Sequence, residues 1–431
     1  MAVRFGTDGI RGRAYDDVSV DLAYRLGRSV AAVFDAPVVV GYDTRESSPV
    51  LARAVLAGLV DGGAEATDLG VIPTPGVAVV ARARASVGVV VSASHNPYFD
   101  NGLKVLGPGG TKLDHLTEAV LAAALEVAAP APADLARDVV VDDAAAGQYV
   151  ALLRELVPGD FSALHVVLDC ANGAASAVAP ALIGASGARV SVLHDRPNGR
   201  NINERCGSTH VEDLVAAVRE LGADLGLAFD GDADRLIAVD ATGTVRDGDD
   251  LMVLFALDLA SRRELGGGVV VTTMSNLGLR RALAAESVEV VETDVGDRNV
   301  LLALEERRWC FGGEQSGHLI FCELAPTGDG LLTGMLLLDL VARRGPLAVQ
   351  ASAAWSRVPQ ALVNVAREDY DDEVVRRLSE ELVARYHLLD GDWRLVVRPS
   401  GTEPVVRVMV EALEGRFVDE FTSALRAAFA A

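Results

Sequence analysis

Val91-Ser-Ala-Ser-His-Asn-Pro-Tyr-Phe-Asp-Asn-Gly-Leu-Lys104 continues the apolar run Val87–Val91, whose β-branched residues predict a buried strand. The residues after that strand are small or polar, and they reach a turn signal at Asn96-Pro97. Ser94 is therefore expected on a loop just beyond a strand end, which is the edge where α/β sheets bind ligands. A serine in such a loop is most often only a turn former, so its meaning depends on the rest of the chain.

Strands and helices alternate in the residues before this stretch. Val38–Tyr42 and Ala66–Val71 are predicted strands, and Ser19 is placed to cap the first helix. Ser48-Pro49 and Thr74-Pro75 each set a hydroxyl residue as the cap before a proline, which is a common way for a helix to begin. This alternation predicts a largely parallel sheet with helices on both faces.

A chain of 431 residues is too long for one ordinary hydrophobic core, so several domains are expected. The alternation recurs twice more, whereas the last part of the chain places consecutive strands on either side of a short turn, which implies antiparallel pairing. The predicted fold class is α/β, with three similar α/β domains of mixed, mostly parallel sheets and a C-terminal α+β domain. The expected domains are residues 1–146, 147–243, 244–357 and 358–431.

Charge and cysteine usage narrow the class of protein. The net charge of −22 argues against nucleic acid or an anionic membrane as a partner, because both bind basic surfaces. We expect no signal peptide, since the first residues lack an apolar core, and no membrane-spanning helix, since no apolar run approaches ~18 residues. The four cysteines form no Cys-x-x-Cys pair and are expected to be reduced, mostly buried thiols of a cytoplasmic protein.

Three aspartates lie directly after the predicted strand Leu225–Phe229, in the sequence Asp230-Gly-Asp-Ala-Asp-Arg235. Acidic residues in a turn are usually only solvated charge, but three hard carboxylates this close together suit Mg²⁺ or another hard dication. An EF-hand is excluded because its loop positions 6 and 12 hold Arg235 and Ala241 instead of Gly and Glu. A phosphatase with an aspartate nucleophile also carries Asp-x-Asp after a strand, and it stays an alternative.

Two further loops carry groups that suit a phosphorylated sugar. Gly312-Gly-Glu-Gln-Ser-Gly-His318 presents the Glu314 carboxylate and the Ser316 hydroxyl, which suit adjacent sugar hydroxyls. In the same loop, His318 is either a proton-transfer group or a structural histidine. Arg398-Pro-Ser-Gly-Thr-Glu-Pro404 is either a plain hairpin turn or an anion nest of hydroxyls and backbone N–H groups.

Two cationic residues, Arg11 and Lys104, each have a structural and a functional interpretation. Arg11 lies between glycines in Phe5-Gly-Thr-Asp-Gly-Ile-Arg-Gly12, and it is either a surface arginine or a guanidinium held beside a phosphate. Lys104 is either a surface lysine or an acid/base group, whose pKa a neighbouring arginine and a metal could lower.

The chain contains five motifs. In chain order they are Phe5–Gly12, Val91–Lys104, Asp230–Arg235, Gly312–His318 and Arg398–Pro404. Together they resemble those of the α-D-phosphohexomutase superfamily, and most closely its bacterial phosphoglucosamine mutase branch. The resemblance runs from Phe5 to Glu411. Gln315 favours that branch, because the phosphomannomutase/phosphoglucomutase branch usually has methionine at this place. Pro399 departs from the pattern, since the family more often has a small or basic residue there, and it removes one backbone N–H donor.

The resemblance implies that the enzyme reversibly converts glucosamine 6-phosphate to glucosamine 1-phosphate, through a phosphoserine at Ser94 and a sugar 1,6-bisphosphate. It also implies one Mg²⁺ per subunit and a central cleft to which each domain contributes one loop. The implied metal ligands are Ser94, Asp230, Asp232 and Asp234. The implied catalytic residues are Ser94, His95, Lys104, Arg11 and His318. The implied substrate-binding residues are Arg235, Glu314, Ser316, Arg398, Ser400, Gly401, Thr402 and Arg407.

The resemblance also sets the expected partners. The expected substrate is a hexosamine phosphate, and neither nucleic acid nor a membrane is an expected partner. The protein is expected to be a cytoplasmic monomer or homodimer that supplies UDP-N-acetylglucosamine and peptidoglycan precursors. Three alternatives stay open. They are a phosphomannomutase/phosphoglucomutase of other sugar preference, a phosphatase with Asp230 as its nucleophile, and a non-catalytic binder of sugar phosphates.

Overall fold

The computed structural model describes residues 9–399 and 404–429 of the chain. Along this part of the chain four β-sheets follow one another, with six, five, four and three strands. Helices alternate with the strands of the first three sheets, and the last sheet is wholly antiparallel. The predicted fold class, three α/β domains followed by an α+β domain, is confirmed.

The first sheet contains the strand that leads to Ser94. Its strands are β1 (Ile10–Arg13), β2 (Val38–Tyr42), β3 (Ala66–Val71), β4 (Val87–Val91), β5 (Asp100–Leu106) and β6 (Val140–Val141). Its helices are α1 (Val20–Val33), α2 (Ser48–Asp61), α3 (Thr74–Ala83) and α4 (His115–Val127), and α5 (Ala145–Leu156) follows β6. The strand order is β1-β5-β4-β2-β3-β6, and β5 is antiparallel to both of its neighbours while the other pairs are parallel. The loop between β4 and β5, residues 92–99, carries Ser94 and is called the Ser94 loop below.

Two of the three predicted helix caps are wrong, and both errors concern hydroxyl groups. Ser19 caps α1 as predicted. Ser48 does not cap α2, because its hydroxyl donates to Asp43 Oδ1 at 2.7 Å. Thr74 does not cap α3, because its hydroxyl donates to Asp232 Oδ2 at 2.7 Å, in the next domain. In both cases a buried carboxylate lies within reach, and hydrogen bonds to charged acceptors are stronger than those to neutral groups.

The second sheet is half parallel, and the third is mostly parallel. The second contains β7 (His165–Asp169), β8 (Arg189–Leu193), β9 (Leu225–Phe229), β10 (Leu236–Asp240) and β11 (Val245–Arg246), with helices α6 (Ala175–Ala185) and α7 (Glu212–Leu221) and a 3₁₀ turn at Gly207–Thr209. Its order is β11-β10-β9-β7-β8, with β7 parallel to β8 and β9 and the other pairs antiparallel. The turn after β9 holds the three aspartates.

The third sheet ends in a hairpin. Its strands are β12 (Gly268–Thr272), β13 (Glu289–Thr293), β14 (Phe311–Gly313) and β15 (Leu319–Phe321). Its helices are α8 (Gly248–Arg262), α9 (Leu277–Ala285), α10 (Asp297–Arg307), α11 (Gly330–Arg344) and α12 (Leu347–Ala354). The order is β13-β12-β14-β15, and only β14 and β15 are antiparallel. The hairpin turn between them, residues 314–318, is called the Glu314 loop below.

The last sheet is small and antiparallel throughout, in the order β16-β18-β17. Its strands are β16 (Gln360–Ala366), β17 (Trp393–Pro399) and β18 (Val405–Ala412), and its helices are α13 (Asp372–Tyr386) and α14 (Gly415–Phe429). The turn between β17 and β18 contains Ser400, Gly401 and Thr402, which lie outside the described residues.

The second and third sheets share one hydrophobic core, which sets the relative position of their loops. Phe229 from β9, Phe311 from β14 and Leu332 from α11 are all completely buried in it. Helix α11 packs against both β9 and β10. Because the two sheets are joined in this way, the turn after β9 and the turn after β14 lie next to each other.

The structure also bears on the expectations about membrane-spanning helices and cysteines. Within residues 9–399 and 404–429, no helix combines the length and the apolar character that crossing a membrane requires. All four cysteines are free thiols. Cys170 and Cys206 are buried, whereas Cys310 and Cys322 are only half-buried, so the expectation of buried thiols holds for two of the four.

Candidate active site

Ser94 lies one turn beyond the end of β4 and is almost completely buried. Its backbone has a φ of +53°, in the left-handed region that residues other than glycine seldom adopt. Its N–H donates to Ser92 Oγ at 3.0 Å, and its own hydroxyl donates to Asp230 Oδ2 at 2.6 Å. The serine of the first domain therefore contacts the aspartates of the second.

The three aspartates converge on one point. One oxygen from each of Asp230, Asp232 and Asp234 lies within 4.8 Å of the others, and all three side chains are buried. Within the part of the chain that the structure describes, Asp232 Oδ1 and Asp234 Oδ1 have no hydrogen-bond partner. Buried carboxylate oxygens without partners are costly, and a bound hard dication would satisfy them. The residues present therefore fit a magnesium-type site.

The pKa values of Asp230 and Asp234 are shifted in opposite directions. Burial raises the pKa of Asp230 well above its usual range, and the nearby charges of Asp234 and Asp232 raise it further. Asp234 behaves oppositely, since His318, Lys104 and Arg235 lower its pKa despite its burial. Without a metal, one carboxyl of the cluster thus holds a proton more readily than another.

Lys104 is a cluster residue and not a surface lysine. It lies on β5, is only 4% exposed, and places its ammonium group 2.9 Å from Asp232 Oδ2 and 3.9 Å from Asp234 Oδ2. The Thr74 hydroxyl donates to the same oxygen of Asp232. One carboxylate oxygen of Asp232 is therefore held by two donors from the first domain, while the other stays available.

His95 lies next to the Ser94 hydroxyl, and two arginines are close enough to His95 to affect its pKa. His95 Nδ1 lies 3.3 Å from Ser94 Oγ. Burial lowers the pKa of His95 to about 4, and the positive charges of Arg235 and Arg11 lower it further. His95 is therefore neutral at neutral pH. A dianionic group attached to Ser94 would find these three residues as partners.

His318 joins the cluster from the third domain. Its Nδ1 lies 3.7 Å from Asp234 Oδ2 and its Nε2 lies 3.6 Å from Asp297 Oδ2. Burial would lower the pKa of His318, but the charges of Asp234 and Asp297 outweigh it and raise that pKa to about 9. Gly328 packs against the ring so closely that a Cβ at that position would lie 2.3 Å from Nε2. The ring is therefore fixed and positively charged in the absence of a metal.

The Glu314 loop holds a carboxylate and a hydroxyl side by side. Glu314 Oε1 accepts from the N–H of Gly296 at 3.0 Å, and Ser316 donates to Glu314 Oε2 at 3.3 Å. Gln315 turns away from them, and its amide donates to Asp249 Oδ2 at 3.0 Å. Gln315, the residue that favours the phosphoglucosamine mutase branch, therefore stabilises the loop through Asp249 on α8.

The last domain contributes two arginines. Arg398 on β17 and Arg407 on β18 are cross-strand neighbours. Burial and the charge of Arg407 lower the pKa of Arg398, while Glu314 acts in the opposite direction. Glu314 also raises the pKa of Arg235, so its carboxylate is close to the cations of both the second and the fourth domains.

The structure thus brings most of the predicted site residues together. The cluster at the first, second and third domains comprises Ser94, His95, Arg11, Lys104, Asp230, Asp232, Asp234, Arg235 and His318. Glu314, which pairs with Ser316, affects the pKa of both Arg235 in this cluster and Arg398 in the last domain.

Three further residues support the site, and sequence reasoning missed all of them. Thr74 was assigned to a helix cap, whereas Arg45 and Asn203 were not singled out. Arg45 forms a fully buried ion pair with Asp43 and donates to the carbonyl oxygens of the Ser94 loop. Asn203 donates to the same oxygens from the second domain. The one signal in the sequence is the loop of residues 201–210, whose Asn-Ile-Asn and Cys-Gly-Ser-Thr-His resemble the family pattern.

Comparison with known proteins places this fold and site in one class. Sequence models of the phosphoglucomutase/phosphomannomutase family match the chain in order. Its α/β/α domains I, II and III match residues 2–129, 148–243 and 247–358, and its C-terminal domain matches residues 362–428. A solved phosphoglucomutase/phosphomannomutase family protein from Burkholderia thailandensis has a TM-score of 0.80 at 25% identity, over 98% of this chain and 97% of its own. The fold and the site therefore define a phosphohexomutase, an enzyme of the isomerase class.

Closer relatives narrow the class further. The phosphoglucosamine mutase of Desulforamulus reducens is 46% identical over 424 residues, which is 95% of each chain. The phosphoglucosamine mutase of Rhodococcus erythropolis is 45% identical over 428 residues, which is 96% of each chain. The chain belongs to the phosphoglucosamine mutase family.

Proposed function

We propose that this chain reversibly converts glucosamine 6-phosphate to glucosamine 1-phosphate, with Ser94 as the carrier of the phosphoryl group. The observation that carries the proposal is the 2.6 Å contact between the Ser94 hydroxyl and Asp230, inside a cluster of three buried carboxylates. Phosphoryl transfer needs positioning and charge compensation more than covalent help from the protein. The cations and carboxylates around Ser94 supply both.

The reaction takes two transfers of opposite direction. In the first, the bond between Ser94 Oγ and phosphorus breaks and a bond from O1 of glucosamine 6-phosphate to phosphorus forms. The O1 proton passes to a base of the protein, and Ser94 Oγ takes up a proton from an acid of the protein. The 1,6-bisphosphate then turns over within the cleft. In the second, the bond between O6 and phosphorus breaks and a bond from Ser94 Oγ to that phosphorus forms. The Ser94 hydroxyl gives its proton to a base, O6 takes up a proton from an acid, and glucosamine 1-phosphate leaves. Ser94 ends phosphorylated, as it began.

Asp230, Asp232 and Asp234 would hold one Mg²⁺ per subunit, with the phosphoryl group on Ser94 as a further ligand. When bound, the ion would neutralise charge that develops on the transferring group. Arg11, His95 and Arg235 bind the phosphoryl oxygens. Neutral His95 does so as an N–H donor, since its pKa is about 4.

Lys104 and His318 are the proposed proton-transfer groups. Both lie beside the aspartate cluster, Lys104 through Asp232 and His318 through Asp234. Lys104 comes from the first domain and His318 from the third, so two separate groups are available for two transfers in which different sugar hydroxyls exchange a proton.

The sugar and its remote phosphate bind further along the cleft. The Glu314 carboxylate and the Ser316 hydroxyl accept and donate hydrogen bonds to neighbouring sugar hydroxyls. The proposed remote phosphate site consists of Arg398, Ser400, Gly401, Thr402 and Arg407. It must accept a phosphate from either end of the sugar, so we place it on a last domain that moves and that excludes water when it closes.

The proposed domains are residues 1–146, 147–243, 244–357 and 358–431. The first of these boundaries falls inside helix α5, whose residues Tyr149 and Leu153 pack in the core shared by the second and third sheets.

We further propose that the protein is a cytoplasmic monomer or homodimer that supplies precursors of UDP-N-acetylglucosamine.

A phosphatase that uses Asp230 as its nucleophile is disfavoured by the structure. Burial and the charges of Asp234 and Asp232 raise the pKa of Asp230 well above its usual range, which disfavours the ionised carboxylate that a nucleophile requires.

The test is to incubate the protein with Mg²⁺ and ³²P-labelled glucose 1,6-bisphosphate and to map the labelled residue. We expect label on Ser94, and we expect Ser94→Ala to lose both the label and turnover of glucosamine 6-phosphate. The control is Ser423→Ala, which changes an exposed serine on α14 and keeps both. Label on an aspartate, or full turnover by Ser94→Ala, would sink the proposal.

A further inference from the structure

Two side chains from different domains donate hydrogen bonds to the same two carbonyl groups of the Ser94 loop. Arg45, in the first domain, donates through Nη2 to the carbonyl oxygens of Ser94 and Asn96 at 3.1 and 2.6 Å. Asn203, in the second domain, donates through Nδ2 to the same oxygens at 2.9 and 3.0 Å. A carbonyl oxygen has two lone pairs, so these four bonds use the full capacity of both.

The Ser94 loop needs this support because its backbone is strained. A φ of +53° at a serine, as found at Ser94, costs about 1–3 kcal/mol and persists only where the surroundings hold it. The aspartate loop presses on the same point, since a Cβ on Gly231 would lie 2.5 Å from the carbonyl oxygen of Ser94. The direction of the Ser94 hydroxyl therefore depends on what holds the carbonyl groups of its loop.

Asn203 is itself held firmly. Its N–H donates to the carbonyl oxygen of Ala171 at 2.9 Å, and its φ of +57° is one that asparagine adopts more readily than most residues. The neighbouring side chains of Ile202 and Cys206 are buried. Asn203 thus presents its amide from a fixed backbone, with little freedom left to lose.

The two donors differ in how they can be tested. Arg45 is fully buried with its partner Asp43, so replacing it would leave a buried unpaired charge and destabilise the domain. Asn203 is neutral and half-buried. A change at Asn203 therefore removes the support of the loop without that penalty.

We propose that Asn203 is a positioning residue for phosphoryl transfer. Its amide ties the Ser94 loop of the first domain to the metal-binding domain, and it thereby fixes the Ser94 hydroxyl against the aspartate cluster. Its amide donates to the carbonyl oxygens of Ser94 and Asn96, so it acts through the Ser94 loop. The catalytic part of this inference rests on the proposed function.

Two variants of Asn203 remove the donor in different ways. Asn203→Asp keeps the shape of the side chain but puts a carboxylate against two carbonyl oxygens. Asn203→Gly removes the side chain and keeps the left-handed backbone, which glycine adopts freely. The matched control is Asn198→Asp in the same loop, because Asn198 is exposed and its side chain accepts from the N–H of Arg200 through an oxygen that aspartate retains.

Steady-state rates with glucosamine 6-phosphate test the inference. Because displacement of a reacting group by about 1 Å can cost on the order of 100-fold, we expect kcat to fall about 10- to 100-fold in both Asn203 variants. KM should rise by less than about twofold, since the sugar and remote phosphate groups lie on other loops. Asn198→Asp should match the wild type in both constants.

Hydrogen–deuterium exchange of the peptide over residues 92–97 reports on the loop without any turnover. We expect faster exchange in both Asn203 variants and no change in Asn198→Asp, with thermal unfolding of all four proteins within a few degrees. Wild-type kcat in either Asn203 variant, or equal losses in the control, would overturn the inference. If the wild type fails to turn over glucosamine 6-phosphate, the proposed function fails instead, and the exchange rates still decide whether Asn203 holds the loop.

Discussion

Binding of Mg²⁺ to this protein should release a proton at any pH below the raised pKa of Asp230, because the carboxyl of Asp230 is protonated there when the metal is absent. The pKa of Asp230 is raised above its usual range, first by burial and then by Asp234 and Asp232. A hard dication binds the carboxylate and not the carboxylic acid. At any pH below the raised pKa, the ion must therefore displace the proton of Asp230.

The size of the effect follows from the number of protons. One proton lost per ion makes the apparent affinity fall about tenfold for each unit by which the pH is lowered, which is about 1.4 kcal/mol per unit. Above the raised pKa the dependence disappears, because Asp230 is then already ionised. Affinity for Mg²⁺ should therefore rise with pH and then level off.

Isothermal titration calorimetry of the unphosphorylated protein, in two buffers of different ionisation enthalpy, measures the number of protons released. We expect a value near one on the rising part of the curve. Asp230→Asn should bind Mg²⁺ more weakly and should lose the pH dependence, whereas Asp143→Asn, at an exposed position, should behave as the wild type. An affinity that does not change with pH, with no proton released, would refute the assignment of the protonated carboxyl to this cluster.

Three further substitutions give distinct results. Gly231→Ala should reduce kcat by on the order of 100-fold, because the new Cβ would meet the carbonyl oxygen of Ser94 at 2.5 Å and displace that loop; an unchanged kcat would show that the loop yields. Thr74→Val should weaken Mg²⁺-dependent activity by about 10- to 100-fold, because its hydroxyl orients a metal ligand from outside the coordination sphere, and a Mg²⁺ titration of initial rates checks this. Arg398→Met should raise KM by about 10- to 100-fold with kcat nearly constant, since a remote phosphate contact is made equally in ground and transition states; a loss in kcat alone would contradict the remote role.

The sequence predicts those site residues whose position follows from the residues next to them in the chain. Asp230 directly follows a short buried strand and Ser94 lies three residues beyond another, so hydrophobic pattern and turn residues place both at a sheet edge. The four-domain fold follows from the alternation of strand and helix patterns along the chain, but strand β5 was not predicted. The strand β5 begins with Asp100-Asn-Gly, residues typical of turns, and it was not recognised as the antiparallel neighbour of β4.

The parts that the sequence does not predict are contacts between distant residues. Thr74 meets Asp232 across 158 positions, and Asn203 meets Ser94 across 109. No local pattern encodes such a pair, because it forms only when two domains pack together. Thr74 was given a local role as a helix cap for this reason, and a buried carboxylate of another domain takes its hydroxyl instead.

The most direct test of the account is the comparison of glucosamine 6-phosphate with mannose 6-phosphate and glucose 6-phosphate as substrates. The assay uses the whole protein with Mg²⁺ and a trace of sugar bisphosphate, which phosphorylates Ser94. The account predicts a kcat/KM at least about tenfold higher for glucosamine 6-phosphate, which is about 1.4 kcal/mol of transition-state binding. An equal or greater preference for mannose or glucose 6-phosphate would contradict the proposed substrate, and no turnover of any of the three would contradict the proposed enzyme.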